Sequence, residues 1–285
     1  MILVTGATGN LGSLVIENLL KKVDASEIAA FVRDAEKASD LKAKGVDLRV
    51  GTYDDTSSLD NAMQGVDKVL LVSGLDPNRY EQHKNVVDAA KKAGVQFIGY
   101  TGVSMKDIDS ATNKFMGSHF QTEDYIKASG LNYAFFRNTL YTEGLPLFLG
   151  EGVFEQGIFL PAGEGKVPYA LRTEMAEAIA NVLAGDTNIK ETYEITGAEA
   201  VSFGEIAQML TDLSGKEVGY VSPSRAQFEE VLKGAGVPDW AIGLVADFSE
   251  DIRDNQHNVA FDHLEKLLGR KPADVKSVLK GIYNL

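Results

Sequence analysis

The chain has 285 residues and is acidic, with 41 Asp and Glu against 28 Lys and Arg and a formal net charge of −13. Nucleic-acid phosphates are bound by clustered Lys and Arg, so this balance argues against a nucleic-acid partner. The absence of cysteine excludes disulfides, thiolate catalysis and sulfur-ligated metals. No apolar run approaches the ~18 residues of a membrane helix, and a strand beginning at Ile2 leaves no room for a leader peptide. We therefore expect a cytoplasmic protein with no membrane partner.

A glycine-rich turn follows the first predicted strand. The apolar run Ile2–Val4 predicts a short buried strand, and apolar residues at helical spacing over 14–20 predict the helix that follows. Between them, Gly6 permits a tight turn, Gly9 leaves room for a pyrophosphate, and Gly12 lets the helix pack close to the strand. The free N–H groups of the helix N-terminus would bind the phosphates. The alternative is a tight turn with no ligand. The pattern predicts dinucleotide binding by Gly6, Thr8, Gly9, Asn10, Leu11 and Gly12.

Strands and helices alternate along the first half of the chain. Further strands are predicted over 28–32, 46–50, 66–73, 97–101 and 133–137. Helices are predicted over 35–44, 79–93 and 115–128. This alternation predicts an α/β fold with a doubly wound parallel sheet, a Rossmann domain, whose ligands lie beyond the carboxyl ends of the strands.

The rhythm breaks after Asn138. Gly and Pro over 144–169 predict loops and a hairpin, a helix follows over 173–183, and a last strand is predicted over 193–196. From Ser202 the chain is mostly helical, and we expect its large apolar anchors to be Phe228, Trp240 and Phe248. The predicted organisation is a Rossmann domain of residues 1–138 plus about 171–197. A smaller, mainly helical substrate lobe would comprise about 139–170 and 198–285.

Arg33 follows the second strand, where an NAD site usually has an acidic residue for the ribose hydroxyls. An arginine fork suits a 2′-phosphate, so the sequence favours NADPH over NADH. The alternative for Arg33 is a solvated turn residue. Asp34 could accept from a ribose or could cap the following helix.

Other polar or small residues follow later strands. One of Asp54 and Asp55 could contact the adenine amino group while the other caps the next helix. Ser73 and Gly74 end the fourth strand, where a small residue lets the backbone approach a ribose. The fifth strand ends at Thr101. We expect cofactor contacts from Asp54, Ser73, Gly74 and Thr101.

Asn138 and Tyr141 leave the sixth strand where a nicotinamide ring would lie. Asn138 could hold the carboxamide or a substrate oxygen, and Tyr141 could stack beneath an aromatic acceptor. Alternatively, Asn138 satisfies loop backbone and Tyr141 belongs to the core of the second lobe. No metal site is predicted, because the four histidines lack ligand spacing.

Four motifs together resemble the atypical short-chain dehydrogenases of the NmrA-like group. Within it, the chain is most similar to type 2 NAD(P)H:quinone oxidoreductases and triphenylmethane reductases. The motifs are Thr5-Gly6-Ala7-Thr8-Gly9-x-x-Gly12, Phe31-Val32-Arg33-Asp34, His119-x-x-Thr122-Glu123 and Arg137-Asn138-x-x-Tyr141. The resemblance implies bound NADPH and reduction of a quinone-like or aromatic small molecule. It also implies that the loop 105–117 shapes the pocket entrance. The oligomeric state is left open, a homodimer included.

His119 and Glu123 stand where typical short-chain dehydrogenases have the Tyr and Lys of Tyr-x-x-x-Lys. His119 could replace the tyrosine as acid, or it could be a polar helix residue lining a cleft. Glu123 is interpreted as a helix or ribose-facing carboxylate. Reduction of a quinone or cationic dye needs no concerted proton donor, so the missing pair is consistent with such acceptors. It is equally consistent with a regulator of this group that binds NAD(P) without turnover.

Overall fold

The computed structural model describes all 285 residues. Its strands are β1 (Ile2–Val4), β2 (Ile28–Val32), β3 (Asp47–Val50), β4 (Lys68–Leu71), β5 (Phe97–Val103), β6 (Asn132–Asn138), β7 (Ile158–Phe159), β8 (Lys166–Val167), β9 (Lys190–Ile195), β10 (Val201–Ser202) and β11 (Tyr220–Val221).

The α-helices are α1 (Asn10–Leu19), α2 (Ser39–Ala43), α3 (Thr56–Ala62), α4 (Arg79–Ala93), α5 (Gly117–Ser129), α6 (Leu145–Leu149), α7 (Val153–Gln156), α8 (Arg172–Ala184), α9 (Phe203–Ser214), α10 (Arg225–Gly234), α11 (Asp239–Arg253), α12 (His263–Leu268) and α13 (Val275–Tyr283). Short 3-10 turns occupy Ala25–Glu27, Glu36–Ala38, Lys114–Met116 and Thr142–Gly144. None of the helices is both long enough and apolar enough to cross a membrane.

Seven strands form one sheet in the order β3-β2-β1-β4-β5-β6-β9. The inner strand β1 pairs in parallel with β2 and with β4, so that Leu3 lies opposite Ala29 on one side and Val69 on the other. The chain moves outward from β1 through β2 and β3, and then crosses back to β4, β5 and β6. The order reverses beside β1, and in doubly wound sheets ligands bind at the carboxyl ends of the strands at this reversal. The predicted Rossmann fold is confirmed.

The inner strands β1, β2, β4 and β5 are largely buried because helices cover the sheet, which explains their continuous apolar runs, whereas the edge strand β3 has no buried residue. All five residues of β2 are buried. On α1, the buried residues Leu11, Val15, Ile16 and Leu19 fall on one helical face. The same periodicity that predicted this helix therefore identifies its packing face.

The chain divides into two compact units. The first comprises Met1–Val103, Gly117–Arg137 and Thr173–Tyr193, and the second comprises Ser104–Met116, Asn138–Arg172 and Glu194–Leu285. The segment Ser104–Met116 therefore groups with the second unit, although the sequence-based boundaries placed it in the first. Hydrogen bonds explain this grouping: Lys106 N–H donates to the Gln256 carbonyl at 2.8 Å, and Thr112 N–H donates to the Asp251 carboxylate at 2.5 Å.

Within the second unit, two sequence-based expectations are wrong. Residues 144–169 contain α6 and α7 and no hairpin, because β7 pairs with β11 and β8 pairs with β10. Trp240 is not a core anchor, since 75% of its surface is exposed, whereas Phe228 is buried. The buried positions of α11 include Ile242 and Ala246, which lie on another face of the helix from Trp240.

Candidate functional site

The glycine turn between β1 and α1 has the geometry that its spacing predicted. Gly6 has a φ of +57°, a conformation that glycine adopts without strain, and its carbonyl accepts a hydrogen bond from Gly9 N–H at 2.9 Å. A Cβ atom on Gly12 would lie 2.3 Å from the Gly6 carbonyl oxygen, far inside van der Waals contact. Position 12 therefore requires glycine for α1 to approach β1 this closely.

The N-terminus of α1 is open to an anion. Its N-cap, Gly9, offers no capping side chain, and no acidic residue lies in the first turn. The backbone N–H groups there and the helix dipole favour negative charge. Among the predicted contacts, Thr8, Gly9 and Asn10 are exposed, whereas the Leu11 side chain is buried. Leu11 can therefore take part in anion binding through its backbone but not through its side chain.

A buried threonine holds the turn in place. The Thr5 hydroxyl donates to the Leu70 carbonyl at 3.1 Å, accepts from Val72 N–H at 2.9 Å, and accepts from the Tyr53 hydroxyl at 2.6 Å. These bonds tie the end of β1 to the end of β4. Tyr53 also stacks on Phe31 of β2, with ring centroids 6.1 Å apart.

Arg33 is exposed directly after β2, and no carboxylate lies within ion-pair distance of its guanidinium. The Asp34 carboxylate accepts from Glu36 N–H at 2.9 Å, and Ala35 is the N-cap of the 3-10 turn that follows. Asp34 is thus hydrogen-bonded to the backbone of this turn, while the Arg33 guanidinium is available for an anion.

The two aspartates after β3 have different partners. Asp55 is the N-cap of α3 and accepts from Ser57 N–H at 3.0 Å. Asp54 is exposed and accepts from the Gln82 amide at 3.1 Å. Of the pair, Asp54 is the one whose carboxylate does not cap a helix.

Ser73, just after β4, is hydrogen-bonded to Thr101 of β5. The Thr101 hydroxyl accepts from Ser73 N–H at 2.9 Å and lies 3.3 Å from the Ser73 hydroxyl. Thr101 is buried, so its side chain supports Ser73 and does not project into solvent. A Cβ atom on Gly74 would meet only the backbone nitrogen of Asp76, at 4.0 Å.

His119 lies on α5 in a buried polar cluster. Only 6% of its surface is exposed, and its Nδ1 lies 2.7 Å from the Tyr100 hydroxyl. Buried Arg79 donates from Nε to the Ser118 hydroxyl at 2.6 Å and from a terminal nitrogen to the Gly74 carbonyl at 3.2 Å. Burial, and then the positive charge of Arg79, lower the pKa of His119 well below its usual value. His119 is therefore a neutral imidazole at neutral pH.

Glu123 forms a bidentate ion pair with Arg137. Nε of Arg137 donates to one carboxylate oxygen at 2.8 Å, and a terminal nitrogen donates to the other at 2.6 Å. Glu123 is 1% exposed, and the Arg137 guanidinium also lies 5.0 Å from the centre of the Phe120 ring. Position 123 therefore joins α5 to β6 instead of facing a ribose.

Asn138 and Tyr141 are neighbours in the second unit. The Asn138 amide donates to the Tyr141 hydroxyl at 3.5 Å, and the Arg172 guanidinium lies 4.4 Å from the centre of the Tyr141 ring. The Asn138 amide oxygen is buried and has no hydrogen-bond partner. Buried acceptors without partners are rare, and this one is suited to a carboxamide N–H₂ or a hydroxyl.

Sequence reasoning missed Arg79, Tyr100 and Arg172. None of the three belongs to a motif. The fold brings Tyr100 and Arg79 beside His119 and brings Arg172 over the ring of Tyr141, and each of these pairs is distant in the chain. The structure contains no group of His, Asp and Glu side chains arranged to hold a metal ion.

The NmrA-like family model matches residues 1–278. Quinone oxidoreductase 2 of Escherichia coli (strain K12) is 37% identical over 289 residues, covering 100% of this chain and 99% of that protein. The NAD(P)H azoreductase of Xenophilus azovorans is 32% identical over 242 residues, covering 84% of this chain and 82% of that protein.

Two solved structures are similar along the chain. A crystal structure of an Escherichia coli NADPH-dependent quinone oxidoreductase complexed with NADPH has a TM-score of 0.91 and 37% identity, with 100% of each chain covered. The Citrobacter sp. triphenylmethane reductase complexed with NADP(H) has a TM-score of 0.92 and 38% identity, with 99% of each chain covered.

Proposed function

The chain belongs to the NmrA-like family, and we propose that it is an NADPH-dependent reductase of quinones or similar conjugated acceptors. The proposal that the cofactor is NADPH depends mainly on the glycine turn at the reversal of strand order. At this turn Gly12 lets α1 pack against the backbone of Gly6, and no side chain caps the N-terminus of α1. The proposal that the acceptor is a quinone or similar molecule is supported by the quinone and dye reductases to which the chain is similar along its length.

The residues around the turn fit a dinucleotide. The α1 N-terminus would bind the pyrophosphate through the backbone of Gly9, Asn10 and Leu11. The exposed Arg33 guanidinium would bind the 2′-phosphate, which distinguishes NADPH from NADH. The backbone of Gly74 would pack against a ribose, and the Asp54 carboxylate would accept a hydrogen bond from the adenine amino group.

NADPH when bound would supply a hydride. Asn138 would orient the nicotinamide through its unpartnered amide oxygen, and Tyr141 would offer an aromatic face to the acceptor. Neither His119 nor Glu123 is arranged to give up a proton, because His119 is neutral and Glu123 is paired with Arg137. Reduction of a ketone without an acid would leave a high-energy alkoxide, whereas a hydroquinone anion is delocalised and water can protonate it. Orientation of the reactants would supply most of the rate enhancement.

Turnover with several acceptors tests the proposal. Purified protein would be mixed with NADPH and a simple quinone, an azo dye or a cationic triphenylmethane dye, with NADH in parallel. Loss of nicotinamide absorbance is expected, with NADPH preferred. Tight NADPH binding with no turnover of any acceptor would refute the reductase and favour a regulator that senses NADPH.

A further inference from the structure

His119 makes its only side-chain hydrogen bond to a phenol. The Tyr100 hydroxyl of β5 lies 2.7 Å from Nδ1 of His119, and Tyr100 has no exposed surface. Burial raises the pKa of Tyr100 well above its usual value, so the phenol keeps its hydrogen. A hydroxyl hydrogen enclosed in the protein needs an acceptor.

The direction of this bond follows from the neighbouring groups. Thr122 donates its hydroxyl hydrogen to the Ser118 carbonyl at 2.8 Å. Nδ1 of His83 lies 2.9 Å from the same hydroxyl, so His83 must be the donor in the hydrogen bond between His83 and Thr122. Two acceptors lie near the Tyr100 hydroxyl: Nδ1 of His119, at 2.7 Å, and the Thr122 hydroxyl, whose oxygen already accepts from His83. The imidazole nitrogen is the stronger acceptor of the two and makes the short hydrogen bond. If His119 instead donated from Nδ1, the buried phenol hydrogen would have only the Thr122 oxygen, which already accepts from His83. Tyr100 is therefore the donor.

The charges around His119 oppose its protonation. Arg79 and His83 face it from α4, and both lower its pKa. Tyr100 faces it from β5 as a neutral donor, and the carboxylate of Glu123 is engaged by Arg137 of β6. A neutral imidazole whose Nδ1 accepts a hydrogen bond must carry its hydrogen on Nε2.

We propose that Tyr100 is a positioning residue that holds His119 in the neutral tautomer with hydrogen on Nε2, so that His119 donates a hydrogen bond and does not transfer a proton. A neutral imidazole can polarise a carbonyl in this way while keeping its hydrogen. If the protein is the reductase proposed above, the oxygen of a bound acceptor is a suitable partner for Nε2–H. The tautomer itself does not depend on that function.

The test is long-range ¹⁵N–¹H correlation NMR of the full-length protein at neutral pH, without added ligand. The four histidine side chains give separate patterns, and His119→Gln identifies the one from position 119. We expect the pattern of an imidazole protonated on Nε2 alone. A pattern protonated on Nδ1, or on both nitrogens, would overturn the proposal.

Two variants separate positioning from a structural effect. Tyr100→Phe removes the hydroxyl and should shift His119 towards a mixture of tautomers, lowering kcat about threefold to tenfold with the KM for NADPH unchanged. Tyr169→Phe is the matched control, because the buried Tyr169 hydroxyl has no partner. It should leave both the His119 spectrum and kcat unchanged.

An unaltered His119 spectrum in folded Tyr100→Phe would overturn the positioning role. If that variant does not fold, the wild-type spectrum alone decides the tautomer. Absence of turnover in the wild type would refute the proposed reductase without affecting the NMR result.

Discussion

Replacement of Arg33 by alanine tests the cofactor preference most directly. The side chain is exposed and has no ion-pair partner, so its loss should change the free energy of unfolding by no more than ~0.5 kcal/mol. Any large effect on cofactor binding would then come from a contact with the cofactor and not from damage to the fold.

The expected magnitude follows from the chemistry of the contact. A hydrogen bond between ionised groups contributes about 1.5–3 kcal/mol, which corresponds to a loss of about tenfold to 150-fold in affinity. This loss should apply to NADPH, which carries the 2′-phosphate, and affinity for NADH should change by about twofold or less.

The assay is titration of wild-type and Arg33→Ala protein with each cofactor, followed by fluorescence, at two salt concentrations. Lys37→Ala is the control, because Lys37 is an exposed cation four positions away on the same connection. It should reduce NADPH affinity much less than Arg33→Ala does.

Two results would refute the reasoning. Equal losses for NADPH and NADH would exclude a specific role for Arg33 at the 2′-phosphate. An equal effect of Lys37→Ala would mean that general attraction between charges, and no particular contact, provides the preference.

Four further predictions concern other parts of the molecule. Gly12→Ala should abolish measurable NADPH binding because its Cβ would meet the backbone of the glycine turn, whereas Gly243→Ala, with open space on α11, should leave binding unchanged. His119→Ala should retain quinone turnover to within about tenfold, and a loss of several hundred-fold would instead identify His119 as the proton donor. The pKa of buried His83 is lowered to about 3, so below pH 6.5 the unfolded chain takes up a proton that the folded chain does not. As the pH falls below 6.5, the free energy of unfolding should therefore decrease by up to ~1.4 kcal/mol per pH unit. In denaturant titrations, His83→Asn should reduce this slope. The Asp251 carboxylate accepts hydrogen bonds from the N–H groups of residues 112 and 113, so Asp251→Asn should accelerate amide hydrogen exchange at both. Unchanged exchange would show that this carboxylate does not hold the segment in place.

Several properties could be predicted from the sequence because they depend on residues that are close together in the chain. The glycine spacing at 6, 9 and 12 specifies a backbone path that few other residues permit. The alternation of apolar runs and helical periods is a direct consequence of a parallel sheet covered by helices. Arg33 could be singled out because its place after the second strand follows from the order of elements alone.

The second half was less predictable for a physical reason. Its short strands pair with partners distant in the chain, such as β8 with β10, and no local pattern encodes such pairings. The side chain of Trp240 suggested a core residue, yet its position on α11 leaves it in solvent. The hydrophobicity of a single residue does not specify whether its face of a helix is covered.

The sequence by itself therefore determined the class of fold, the cofactor turn and the absence of the usual acid pair. Only the tertiary structure decided the states of the polar side chains. The neutral form of His119, the pairing of Glu123 with Arg137 and the unpartnered oxygen of Asn138 all depend on neighbours from other elements. Protonation and hydrogen bonding are set by burial and by nearby charges, and these exist only after distant segments have packed together.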